Sequence, residues 1–150
     1  MMADINGFMR LSAVFCSSYL LSFMLWGVAY ADSGNVDELQ NNLNQAAVVI
    51  NKSLPKITWP GVVLDRVKSP GNKTLIYEYS LIYLLASQID RKVAEQKIYR
   101  GSVDSLCNDQ GQKDWFDRGV TTIYAYRDKK GSEVVRVTIS QGDCDKHYRW

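Results

Sequence analysis

The residues with the clearest chemistry are two cysteines. Beyond position 31 the chain holds Cys107 and Cys144 and no third cysteine. A redox pair would want a C-x-x-C spacing, and a metal site would want further Cys or His ligands at short spacing. Neither pattern is present. An even pair in an exported chain reads as a structural disulfide, which would close a loop of 38 residues from 107 to 144. In the chain-entropy picture that loop is worth roughly 4 kcal/mol.

Catalytic candidates are thin. His147 is the sole histidine and lies in the polar, aromatic stretch Asp145 to Trp150. A general base or metal ligand must be held rigidly, and residues 145–150 read as a flexible tail. The carboxylates Asp104, Asp109, Asp114, Asp117, Asp128, Asp143 and Asp145 fall at expected turns and helix ends, where aspartate serves as a cap. No dense D-x-D-x-D-G calcium array, serine elbow or phosphate-binding glycine loop occurs. The expectation is a non-enzyme with no cofactor and no metal.

Aromatic residues suit binding better. Tyr77, Tyr79 and Tyr83 alternate along one stretch, and Tyr124 and Tyr126 along another. They either pack beneath helices or line an exposed face that takes a peptide or protein. Trp59, beside Pro60 in an expected loop, is the candidate exposed anchor. The candidate protein-binding set is therefore Trp59, Tyr77, Tyr79, Tyr124 and Tyr126.

The N-terminus sets the compartment. Arg10 precedes an apolar run, Leu11 to Gly27, and Ala29-Tyr30-Ala31 offers small residues at the −3 and −1 positions. Residues 1–31 thus read as a cleavable signal peptide, with Met9 as an alternative start. The apolar run is at the short limit for a membrane span, and no basic cluster follows it. Cys16 follows Val14 and Phe15, which is not a lipidation context. The expected location is periplasmic or secreted, with no integral membrane segment after cleavage. Residues 32–150 are one domain in size. The net charge of +2 is spread along the chain, without the basic stripe that nucleic-acid binding requires.

Periodicity supplies the elements that must position these residues. Val36, Leu39, Leu43, Ala46, Ala47 and Ile50 recur at helical spacing, up to a stop before Leu54-Pro55. Lys56 to Gly61 reads as a loop. Val62–Lys68 and Lys73–Tyr83 read as strands around a turn at Ser69–Asn72. One long or two broken helices follow from Ser87, with Asp90 as a cap and Gly101 as a break, then a turn of helix over Gln112–Asp117 stopped by Gly119. Val120–Arg127 and Glu133–Ser140 form a second hairpin around Asp128–Gly131. The order is α-β-β-α-(α)-β-β. The expected fold is α+β, with an antiparallel sheet of about four strands packed with helices in two layers over residues 32–144.

Several segments together resemble known proteins. They are Asn51–Pro55 ending the first helix, the turn at Pro70–Lys73, Leu106–Asp109, Gly119–Thr121, Asp128–Gly131 and Asp143-Cys144. Over about residues 45–144 the chain resembles small periplasmic proteins of Gram-negative bacteria. It is similar, more distantly, to the alternative-type pilotins of type II secretion systems. The resemblance implies a pilotin-like fold with the Cys107–Cys144 pair bonded, here without the lipidation motif that pilotins carry. It implies a protein-binding or assembly role, with an envelope or secretion component as partner. An inhibitor or immunity-type protein acting on an envelope enzyme is the alternative.

Overall fold

A computed structural model describes residues 33–147. The expected signal peptide and residues 148–150 lie outside the described residues. Helix α1 spans Ser33–Asn51. Leu39, Leu43 and Ala47, four apart, form its buried face, whereas Val48 and Val49 point to solvent. At its end the Asn51 side chain acts as a piece of strand. Its Oδ1 accepts from the Val67 N–H at 2.8 Å, and its Nδ2 donates to the Val67 carbonyl at 2.7 Å.

Five strands make one sheet in the order β1-β2-β3-β4-β5: Lys56–Trp59, Val62–Gly71, Thr74–Leu81, Thr121–Arg127 and Glu133–Ile139. The expected α+β class holds, but three details are corrected. First, the sheet has five strands rather than about four. The stretch expected to be a loop is strand β1, antiparallel to β2 with Ile57 opposite Val63. All four of its residues are exposed, so it has no buried face to generate a period. Gly61, at φ +80°, completes the turn after Pro60, the pairing a type II turn favours.

Second, the sheet is mixed. β3 and β4 run parallel, with Tyr77 opposite Tyr124 and Tyr79 opposite Tyr126. A chain that leaves a strand through helices on one face and rejoins the sheet alongside needs such a crossover. Third, the β2–β3 turn is at Asn72-Lys73, both at positive φ, as a two-residue type I′ hairpin demands. Pro70 falls inside β2, near an irregularity in the pairing, where a missing N–H is tolerated.

After a short 3₁₀ turn at Ala86–Gln88, helix α2 covers Arg91–Cys107 and α3 covers Gln110–Asp117. Asp90 caps α2 by accepting from the Val93 N–H, and Asp109 caps α3 through the Gln112 N–H. Of the two alternatives, one long helix or a break at Gly101, the single helix holds through Gly101. Val103, Leu106 and Cys107 beyond it are buried against β5 and α3, and that packing outweighs the glycine penalty of about 1 kcal/mol. Helix α4, Gln141–His147, takes up residues 145–147, expected in the tail. Cys107 and Cys144 are bonded, with Cα atoms 5.4 Å apart, joining α2 to α4.

Both main helices lie on the same face of the sheet. α1 covers Leu64, Val67 and Leu75, and α2 covers Val135, Val137 and Ile139. The register makes these sets neighbours across one surface: Leu64 faces Tyr79, which faces Tyr126, which faces Val135. Two bulges are needed for this. Asp65 is an extra residue between Leu64 and Arg66, so Leu64 and Val67 share a face despite odd spacing. Val134 is extra between Glu133 and Val135, so two consecutive valines are both buried.

Candidate protein-binding groove

Four tyrosines occupy the strip between the two helices. Tyr79 stacks on Tyr126 with ring centroids 4.7 Å apart, and Tyr77 on Tyr124 at 5.5 Å. Burial pushes all four phenols up, Tyr79 and Tyr124 most strongly, with neighbouring tyrosines adding to the shift for those two. These side chains are neutral hydroxyls on an apolar floor, not acid–base groups at ordinary pH.

α1 does not cover the whole strip. Towards Val62 and Leu81 the sheet is left open, and a groove of about 500 Å³ runs there. Its floor is Val62, Tyr79, Leu81, Tyr126 and Val135. Trp59 and Thr58 of β1 make one wall; Leu84, Ile89, Ala94, Lys97 and Ile98 make the other. Trp59 is 72% exposed and Leu84 43%. Nearby in sequence, Ile57, Ile82, Tyr83 and Val93 are exposed too. Contiguous apolar surface of the kind that lines this groove is uncommon on monomeric soluble proteins. Lys97 is the one charged residue of the lining.

Of the residues singled out from sequence, Trp59, Tyr79 and Tyr126 come together in this groove. Tyr77 and Tyr124 lie deeper in the stack and do not line it. Trp59 sits in strand β1 rather than in a loop. Sequence reasoning missed the α2 wall and Leu84. The signal was there in Leu81-Ile82-Tyr83-Leu84-Leu85, five apolar residues in a row where the chain leaves the sheet.

Among the aspartates, Asp128 and Asp143 hold loop backbone. Asp128 is buried and accepts from the N–H groups of Ala86, Lys130 and Ser132, bonds that hold its carboxyl below the usual range. Asp143 accepts from the Ser140 N–H and hydroxyl and from the Tyr99 hydroxyl at 2.8 Å. Burial opposes its charge, yet these donors hold its pKa below the ordinary value. Among the described residues no three His, Cys, Asp or Glu side chains gather as a metal site, and no helix is long and apolar enough to cross a membrane. On the other face of the sheet Glu78 binds Arg66 at 2.8 Å and Lys68 at 2.7 Å. Burial works against its charge, and the two cations prevail.

No protein-family model and no curated protein matches the chain. Solved structures do. A Pseudomonas aeruginosa protein named as secreted is 20% identical, with a TM-score of 0.64 over 73% of this chain and 96% of its own. EpsS, a pilotin of the Vibrio vulnificus type 2 secretion system, is 18% identical, with a TM-score of 0.61 over 74% and 96%. AspS, the type II secretion pilotin of Vibrio cholerae, is 14% identical, with a TM-score of 0.57 over the same shares. The described fold is thus similar to that of type II secretion pilotins and of a protein named as secreted, at low sequence identity.

Proposed function

We propose that this chain is an exported, non-catalytic protein-binding module that takes an apolar segment of an envelope or secretion component into the groove beside Trp59. The observation that carries the reading is the groove itself: an apolar floor of sheet residues left open by α1, with Trp59 72% exposed on its rim. An exposed tryptophan over such a floor is the kind of anchor on which binding energy concentrates. The neighbouring EpsS and AspS are named as pilotins of type II secretion systems, which supports the partner class. Export through the segment at residues 1–31 would bring the module to that compartment. Asp90 and Asp109, which cap helices, and Asp128 and Asp143, which hold loop backbone, have structural work that supports a non-catalytic role.

The test is affinity capture from an envelope extract with the wild-type protein, Trp59→Ala and Leu84→Asp as baits. An envelope or secretion protein held by the wild type and lost with both variants is the expected result. Retention by both variants would place binding elsewhere on the molecule. Capture of an enzyme whose activity falls on binding would replace the assembly reading with an inhibitor reading.

A further inference from the structure

The two edges of the sheet are built differently. β1 is four residues long and flanked by Pro55 and Pro60. The part of β2 that β1 does not reach is covered by α1, through the Asn51–Val67 pairing and through Gln40, which meets Ser69 and the Lys73 N–H. Shortness, proline and a covering element all block strand addition. β5, the other edge, runs for seven residues without proline, and among the described residues no strand pairs with its outer side.

The direction of its backbone groups follows from the register. The Thr121 N–H donates to the Lys73 carbonyl at 2.9 Å, so Thr121 and, by alternation, Ile123 and Ala125 turn their backbone groups towards β3. Thr122, Tyr124 and Tyr126 turn theirs towards β5, where they face Ile139, Val137 and Val135. Arg136 and Thr138, both exposed, keep an N–H and a carbonyl directed outward.

Helix α2 runs beside this edge. A groove of about 580 Å³ separates Lys92, Gln96 and Tyr99 from Arg136, Val137 and Thr138, and a smaller one lies towards Arg91 and Glu133. A free strand edge with a helix wall alongside is a setting in which an extended peptide can add as a new strand. The charges select the peptide. Arg91, Lys92 and Arg136 outnumber Glu95 and Glu133 along the two grooves. Arg136 is already held by Glu133 at 2.7 Å, which leaves Arg91 and Lys92 against Glu95, none of the three in an ion pair among the described residues.

We propose that β5 takes an extended acidic segment of a partner protein as a sixth strand, with a carboxylate of that segment meeting Lys92. This surface is separate from the Trp59 groove, and either can fail without the other. The test uses isotope-labelled protein purified from the periplasm of an expression host. The probe is a capped decapeptide of alternating Val and Thr with two central Glu, compared with the same peptide carrying Lys in their place. The acidic peptide slows amide exchange at Arg136 and Thr138 and shifts resonances of β5 and the first half of α2. Thr138→Pro, which removes an outward N–H and spares the β4 ladder, abolishes this. Lys92→Glu, which leaves the strand untouched and guards against a folding defect in the proline variant, weakens binding by about five-fold or more. Trp59→Ala leaves it unchanged. Absence of protection at Arg136 and Thr138, or equal binding of the basic peptide, overturns the proposal. So does protection that grows with protein concentration alone, which would assign the edge to a second copy of this chain.

Discussion

Tyr79 and Tyr126 stack across the parallel β3–β4 pair with ring planes 10° from parallel. They are direct register partners. Below them Tyr77 and Tyr124 repeat the arrangement, and a tilted Tyr79–Tyr124 contact at 6.3 Å links the two layers. One side of the seam packs on the α1 core and the other on the α2 core, so the tyrosines join two hydrophobic clusters and floor the groove at its open end. A double-mutant cycle on Tyr79→Ala and Tyr126→Ala, read by urea unfolding, should give single losses of about 2–4 kcal/mol. The coupling should be about 0.5–1.5 kcal/mol. Zero coupling would mean that the rings contribute by burial alone.

The bond between Cys107 and Cys144 closes all of α3, β4 and β5 into one loop. Cys107→Ser should cost about 4 kcal/mol by loop entropy, a large share of the 5–15 kcal/mol typical of a domain. The melting temperature under oxidising conditions should fall markedly. The wild type in strong reductant should fall to match the variant, and an unchanged value in both would show that the link contributes nothing.

Stability should fall at both pH extremes, for different groups. The carboxyls of Glu78, Asp128, Glu133 and Asp143 all lie below their ordinary values in the folded chain. A depressed folded pKa gives stability that is present above the unfolded value, about pH 4, and lost as pH falls through the folded one. The tyrosine phenols are raised, so their contribution is full below about pH 10 and lost as pH rises above it. Thermal melts should be flat from about pH 5 to 9 and drop outside that range. In Tyr79→Phe the alkaline drop should be smaller, while the acid drop stays as it was.

Gly61 fixes the turn that presents Trp59. It has φ +80°, and a Cβ placed there would lie 2.9 Å from the Tyr83 ring. Gly61→Ala should therefore lose about 1–2 kcal/mol in urea unfolding. Trp59→Ala, at an exposed position, should stay within about 0.5 kcal/mol of wild type. A larger loss for Trp59→Ala would make that residue part of the core rather than of a binding rim.

Elements with a continuous buried stripe were legible from sequence. Leu39, Leu43 and Ala47 marked α1, Asp90 marked the start of α2, and the β4–β5 hairpin followed from its alternation. What escaped lacked a local signal. β1 has no buried residue, and its existence rests on backbone pairing with β2. The Asp65 bulge puts Leu64 and Val67 on one face, which blurs the alternation of β2. The parallel contact between β3 and β4 joins residues more than forty positions apart and is set by the helical crossover. Part of the candidate site was readable: Trp59, Tyr79 and Tyr126 by type and alternation. The α2 wall was not, because Ala94 and Ile98 have the composition of an ordinary core stripe.

Photo-crosslinking in living cells decides whether the Trp59 groove holds a partner, with a photoreactive amino acid at Trp59, at Leu84 and, on the opposite face of the sheet, at Ile123. Positions 59 and 84 should crosslink to the same apolar segment of one envelope or secretion protein, while position 123 should not. Crosslinks from position 123 alone, or none from either groove position, would rule out the groove as the binding surface.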